Sequence, residues 1–167
     1  MVEGEIHIDS PEIESVLREV TDPEIPVLSI LDMGVIRDVK INDKKVVIAL
    51  TPTYSGCPAM DTIAADIIVA LAKHGYEAKV NLVLSPAWTT DWITDSGRKK
   101  LVEYGIASPL DEQRDKRALM GEKRLVSCPI CKSINTKMIS QFGSTACKAL
   151  FKCEDCLEPF DYFKCLK

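Results

Sequence analysis

Apolar positions along this chain follow two rhythms, and each change of rhythm predicts an element. After ten residues without a period, Ser10-Pro11-Glu12 offers an N-cap serine, a proline at the first helical position and early acids. Ile13, Val16, Leu17 and Val20 then recur at helical spacing, so a short helix with one buried face is expected. It must stop before Thr21-Asp22-Pro23-Glu24-Ile25-Pro26, where paired prolines disfavour both helix and central strand. The β-branched runs 35–41 and 46–50 flank Asn42-Asp43-Lys44-Lys45 and read as an antiparallel hairpin. A stronger helix runs from Pro58 to His74, with Met60, Ile63, Ala64, Ile67, Ile68 and Leu71 on one face and Gly75 as its stop. A third strand spans 78–84. Thr89 or Thr90 then caps a last helix bearing Trp92, Ile93, Leu101 and Tyr104, closed by Gly105.

These elements give an α/β domain over residues 1–106, with a small mixed sheet of a β-hairpin plus a third strand and about three helices. Charge composition changes beyond it. Residues 1–106 carry 10 bases and 17 acids, 107–126 carry 5 and 4, and the remainder carries 6 and 4, which together give the net charge of −4. Residues 107–126 have few large apolar side chains and read as a charged linker or a solvated helix. A pI near 5.3 argues against a protein that binds nucleic acid through bulk positive charge. No apolar run approaches the ~20 residues that span a bilayer, so a cytoplasmic protein is expected.

Six of the 7 cysteines, Cys128, Cys131, Cys147, Cys153, Cys156 and Cys165, fall in residues 127–167. Cys128-Pro-Ile-Cys131 and Cys153-Glu-Asp-Cys156 are separated by 21 residues, just beyond the roughly 15 to 20 of the usual four-cysteine zinc pattern. Each CxxC turn aims two sulfurs into one half of a tetrahedron. A segment this short cannot bury enough core to fold alone, so a bound metal would supply much of its folding free energy. A zinc-ribbon-like β domain holding structural zinc is the expectation, with mononuclear iron or redox disulfides as alternatives. Cys147 and Cys165 are additional thiols, read as small buried hydrophobes, as a redox pair or as thiol donors to a transferred metal. Phe142, Phe160, Tyr162 and Phe163 suggest a contact face or the packing around a small metal core.

Cys57, between Gly56 and Pro58, is placed as the N-cap of the long helix, where the helix dipole favours a thiolate. No histidine is placed to act as its base. His7 lies in the aperiodic start, and His74 lies 17 residues along the same helix, or about 25 Å at 1.5 Å per residue. Cysteine-protease chemistry therefore lacks a partner. Asp22 and Glu24, carboxylates in the Pro-flanked loop, are the other candidates. Neither a phosphate-binding glycine motif nor a zinc-protease motif occurs.

Three strings carry a resemblance: Asp22-Pro-Glu-Ile-Pro-Val-Leu-Ser-Ile30, Leu50-Thr-Pro-Thr-Tyr-Ser-Gly-Cys-Pro-Ala-Met60 and Leu84-Ser-Pro-Ala-Trp-Thr-Thr-Asp-Trp-Ile93. Together they resemble the metal-sulfur cluster biosynthesis family, whose members act late in iron–sulfur protein maturation. The tail, with Phe-Gly-Ser-Thr-Ala-Cys-Lys-Ala-Leu and Glu-Pro-Phe-Asp-Tyr-Phe-Lys-Cys, resembles the PaaD branch encoded with the bacterial phenylacetyl-CoA epoxidase. The resemblance implies Cys57 as functional thiol, Asp22 and Glu24 as its acidic loop, and Cys128, Cys131, Cys153 and Cys156 as the metal site. It further implies a maturation factor, not itself catalytic, that delivers iron or an iron–sulfur cluster to the oxygenase or reductase of aerobic phenylacetate breakdown. A non-catalytic structural subunit of the epoxidase is the alternative, and a homo-oligomer stays open.

Overall fold

The computed structural model describes residues 6–122 and 125–164. They form two compact units: residues up to 88 with 92–97, and 89–91 with those from 98 onward. In the first unit, α1 (Pro11–Glu19) is capped by the Ser10 hydroxyl, which accepts the Ile13 N–H at 3.4 Å. Strands β1 (Ile36–Asn42) and β2 (Lys45–Leu50) form the expected hairpin, tight because Asp43 takes up φ +53°. Helix α2 (Ala59–Lys73) provides the crossover that lets β3 (Glu77–Leu82) pair parallel to β2, in the order β1-β2-β3. Val46, Ile48 and Leu50 are wholly buried, as are Ile13 and Leu17 of α1 and Ile63, Ile67 and Leu71 of α2.

Two details differ from the periodicity. Ile68, expected on the buried face of α2, is 42% exposed. The last helix, α3 (Asp95–Glu103), starts later than Thr89 or Thr90; a single 3₁₀ turn occupies Thr90–Trp92. The Thr94 hydroxyl caps α3 by accepting the Gly97 N–H at 3.0 Å, and itself donates to Asp32 Oδ1 at 3.2 Å. Asp32 is buried, and its Oδ2 accepts the Ser29 hydroxyl at 2.9 Å. A long-range partner, invisible to periodicity, therefore chooses which threonine caps.

The second unit is a four-stranded sheet in the order β4-β7-β6-β5, built from β4 (Ile106–Ala107), β5 (Thr136–Ser140), β6 (Lys148–Cys153) and β7 (Pro159–Phe163). Here the structure departs from the expected domain limits. Ile106 and Ala107 pair with Asp161 and Tyr162, and α4 (Glu112–Leu119) occupies the stretch read as a charged linker or a solvated helix. Asp115 and Ala118 of α4 are buried, and Ala118 packs in one cluster with Val126, Phe151 and Tyr162. The Tyr162 hydroxyl donates to Asp115 Oδ1 at 2.5 Å and accepts the Leu110 N–H at 3.1 Å. Charge counting missed this because a buried carboxylate with a hydroxyl donor is chemically satisfied.

Gly34 sits at φ +64°, and a Cβ there would lie 2.2 Å from the Trp92 carbonyl oxygen. Gly34→Ala is expected to cost at least about 2 kcal/mol, from left-handed strain plus overpacking. A urea titration of the variant would check it; a midpoint equal to wild type would mean that the Trp92 loop is not fixed.

Candidate functional site: a carboxylate-flanked thiol and a four-cysteine metal centre

The loop Thr21–Ser29 is closed by its own first acid. Asp22, buried, accepts the N–H groups of Glu24 and Ile25 on Oδ1 at 2.7 and 2.8 Å. The Asp22 N–H donates to the Leu28 carbonyl at 2.9 Å, Thr21 bridges Ser29, and Ile25 and Leu28 sink into the core. Cys57 follows a turn in which its N–H donates to the Tyr54 carbonyl at 3.2 Å. Pro58, not Cys57, occupies the N-cap of α2, already helical at φ −69° and ψ −18°, and it makes no side-chain cap bond. The expected dipole-stabilised thiolate is accordingly not what forms. Burial pushes the half-buried Cys57 thiol up, and the Glu24 and Asp22 carboxylates push in the same direction. The Ala59 N–H and the Tyr54 hydroxyl, hydrogen-bonded to the sulfur, oppose that shift without overcoming it.

The three residues singled out in the first domain thus influence one another electrostatically, but among the described residues their ligand atoms do not gather into a metal-sized group as the four tail cysteines do. Tyr54 is an addition that the sequence signalled only by its place three residues before the cysteine. A depression of about 390 Å³ in the same unit is lined by Ile8, Glu14, Arg18, Asp32 and Thr94 and includes neither Cys57 nor the acidic loop.

In the second unit, the sulfurs of Cys128, Cys131, Cys153 and Cys156 lie within 4.8 Å of one another. Cys128 and Cys156 are 3.8 Å apart, and Cys131 and Cys153 are 3.5 Å apart. A tetrahedron of zinc–sulfur bonds near 2.3 Å has edges of about 3.8 Å, so the arrangement fits one tetrathiolate ion.

The two turns are near-copies. The Cys128 N–H donates to the Ser133 carbonyl at 2.8 Å, and the Cys153 N–H donates to the Glu158 carbonyl at 3.0 Å. The residue after each second cysteine is left-handed, Lys132 at φ +64° and Leu157 at φ +66°. That twist turns the next main-chain N–H, of Ser133 or Glu158, onto the sulfur of Cys131 or Cys156. Asp155 joins the turns by accepting from the Ser133 hydroxyl at 2.5 Å and the Asn135 amide at 2.7 Å. These two donors hold its carboxyl below the usual range.

Cys147 lies outside this group, buried, with its sulfur 3.1 Å from the Thr145 hydroxyl. Cys165 falls outside the described residues. Phe160, Tyr162 and Phe163 are core residues rather than a contact face, whereas Phe142 is 61% exposed with the Lys164 ammonium 4.2 Å from its ring centroid.

Comparison with known proteins divides the chain in a similar way. Residues 11–82 match the iron-sulfur cluster assembly protein family, and residues 112–164 match the PaaD zinc beta ribbon domain. The second match begins at α4, in keeping with the packing of that helix. The chain is 49% identical over 156 residues to a subunit of the "Putative 1,2-phenylacetyl-CoA epoxidase" of Escherichia coli (strain K12), covering 93% of this chain and 92% of that protein. It is 33% identical over 93 residues to an Fe-S protein maturation auxiliary factor of Porphyromonas gingivalis (strain ATCC BAA-308 / W83), covering 54% of this chain and 88% of that one. Among solved structures, the domain of unknown function DUF59 from Bacillus anthracis matches at 28% identity and a TM-score of 0.50, over 54% of this chain and 88% of that one. No helix among the described residues is long and apolar enough to cross a membrane.

Two outcomes follow from the geometry. Cys131→Ser should lose the metal and open residues 125–164 to protease, because structural zinc contributes on the order of 10 kcal/mol to small cysteine folds. Metal analysis with limited proteolysis would check this, and full metal occupancy would refute the four-sulfur assignment. Because its thiol is raised, Cys57 in the metal-loaded chain should react with iodoacetamide at pH 8 more slowly than free cysteine, its rate still climbing with pH where the free thiol has levelled. Glu24→Gln should speed it. Peptide mass spectrometry of the Cys57 peptide reads both rates.

Proposed function

The chain belongs to the PaaD family, together with the Escherichia coli epoxidase protein that it matches over nearly its whole length, and from that premise we propose that it is an accessory factor in iron–sulfur protein maturation. In this reading it helps iron or an iron–sulfur cluster reach the oxygenase or the reductase of the epoxidase system, and it performs no turnover of its own. The observation that carries the reading is the company Cys57 keeps. Burial, with the two carboxylates adding to it, makes the thiol a poor nucleophile, but the same carboxylates attract a cation, which would draw their oxygens and the sulfur together, since these atoms are not gathered into a metal-sized group in the free chain. A soft sulfur beside hard oxygens, with no closed cage around them, suits iron that must be held and then released. Asp22 already uses Oδ1 on two main-chain donors, so Glu24 is the better placed of the two for the cargo. Tyr54 and the Ala59 N–H keep the sulfur oriented. Thiols of this kind must stay reduced, which a cytoplasmic location provides.

The tail has a separate role. Its four cysteines hold one zinc that folds the ribbon, and the cargo does not use that site. A second reading, a non-catalytic structural subunit of the epoxidase, draws support from the exposed Phe142 and from Ile130 and Leu157 beside the metal turns, 58% and 64% exposed. A structural subunit co-purifies at fixed ratio with the oxygenase, whereas a maturation factor does not.

Cys57→Ser separates a lost ligand from a lost fold. The Cys57 sulfur accepts only the Ala59 N–H at the start of α2, a bond that a serine hydroxyl can also accept, so the variant should melt within about 1 kcal/mol of wild type, the scale of a cap substitution. A host that depends on it should fail to grow on phenylacetate, with iron-depleted oxygenase or reductase. Normal growth with fully metallated partners would withdraw the role of Cys57.

A further inference from the structure

For an ion to leave a four-sulfur site, its sulfurs must let go one after another and the two halves of the site must part. Whatever ties those halves together therefore sets how long the ion stays. The four sulfurs are not equally covered: Cys128 and Cys153 are buried, whereas Cys131 is exposed and Cys156 half-buried. Each turn buries its first cysteine and opens its second. A competing ligand has to enter by displacing Cys131 or Cys156.

The main chain secures each sulfur within its own turn. The Ser133 N–H bonds to the Cys131 sulfur, the Glu158 N–H to that of Cys156, and the N–H groups of Cys156 and Asp155 to that of Cys153. The turns themselves come from distant stretches, one before β5 and one after β6. The ladder between these strands reaches the turns with a main-chain bond from the Glu154 N–H to the Asn135 carbonyl at 2.8 Å. Asp155 then spans the two turns with its side chain. Its Oδ2 accepts the Ser133 hydroxyl at 2.5 Å and its Oδ1 accepts the Asn135 amide at 2.7 Å, while the Ser133 hydroxyl oxygen accepts the Asn135 N–H at 3.0 Å. Ser133 also takes the Cys128 N–H on its carbonyl at 2.8 Å. One carboxylate in the second turn thereby grips the residue that holds both cysteines of the first.

Charge alone does not account for an acid at this position. Four thiolates around one divalent ion leave a net charge of about −2, which repels a further carboxylate. What an ionised acceptor adds is the strength of its hydrogen bonds, which exceeds that of neutral ones. The neighbouring Glu154 carries the same charge, is exposed, and has no side-chain partner among the described residues. We propose that Asp155 is a positioning residue of the metal centre: its clasp on Ser133 and Asn135 holds the open side of the site shut against exchange and makes the tail's ion a resident one. The inference rests on the reading in which the four cysteines hold one zinc, and it is independent of Cys57.

Mixing the full, zinc-loaded chain with excess chromogenic zinc chelator reads the rate of release. Asp155→Ala keeps all four sulfurs and should still load one zinc, yet release it at least about tenfold faster, the scale of a single hydrogen bond to a charged group. Loaded with cobalt, it should keep the wild-type sulfur-to-cobalt absorption; loss of that spectrum in a loaded variant would overturn the inference by making Asp155 a determinant of the fold. Glu154→Gln should release zinc at the wild-type rate, and an acceleration equal to that of Asp155→Ala would overturn the inference as a charge effect. In a Ser133→Ala/Asn135→Ala chain, itself fast, adding Asp155→Ala should change the rate no further, whereas a second tenfold gain would place the action of Asp155 elsewhere and overturn the clasp. Should Asp155→Ala fail to load, Asn135→Ala, which removes one of the two bonds, decides by the same tenfold criterion. A wild-type chain that takes up no zinc would fail the zinc reading and this inference together. A loaded wild type that releases zinc as fast as Asp155→Ala would overturn this inference alone.

Discussion

One buried acceptor governs the surroundings of Cys57. Asp22 Oδ1 collects the N–H groups of Glu24 and Ile25, so this loop path supplies two donors to a carboxylate that is buried. Leaving such a group unsatisfied costs more than a single hydrogen bond returns, so the loop has one conformation rather than several. The two prolines narrow the choice further by fixing φ at Pro23 and Pro26. Burial does most to raise the thiol, and that rigidity adds to it, because Glu24 is carried on the same turn and its negative field reaches the sulfur. A flexible loop with the same residues would let water screen the carboxylates and leave an ordinary cysteine.

The features legible in the sequence are those set by neighbours a few residues apart. The Ser10 cap, the hairpin around Asp43 and the long helix ended by Gly75 depend on local propensity and period, and they fall where the pattern puts them. Features set by distant partners were not legible. Thr94 caps α3 because Asp32, 62 residues earlier, takes its hydroxyl proton. Pro58 rather than Cys57 begins α2, and burial with the nearby carboxylates outweighs the Ala59 N–H at the sulfur, which reverses the expected direction of the thiol's shift. Ile68 counts as a core residue by period alone, yet period cannot say whether the surface above it is covered.

The charged stretch before the ribbon illustrates a different failure. Net charge describes a segment as if all its groups met water, but α4 presents Asp115 and Ala118 inward and Arg114, Lys116 and Arg117 outward. The one inward carboxylate is matched by the Tyr162 hydroxyl, which burial and the neighbouring Asp115 keep protonated far above the usual phenol range. Tyr162 thereby closes β7 against α4 and holds the Leu110 N–H as well. A helix that composition assigns to solvent becomes part of the ribbon core. Without it, the cluster of Phe151, Phe160 and Tyr162 would lose Ala118 from its packing.

The metal turns complete this logic, since their geometry carries a strain that a metal can offset. Lys132 and Leu157 both hold positive φ, where glycine would be relaxed and a side chain costs about 1 kcal/mol or more. Each distortion aims one N–H at a cysteine sulfur, and Asp155 then locks the two turns to each other. Such amide dipoles are worth most against a charged thiolate, so the backbone is arranged for sulfurs that have already lost their protons. A metal ion supplies that state, and its binding energy, several times larger than the local strain, makes the turns stable in a segment that could not bury enough surface to impose them. The ribbon and the acidic loop thus set opposite fields around their sulfurs: one aims main-chain N–H groups at four clustered cysteines, while the other half-buries a thiol beside carboxylates that add to its upward shift.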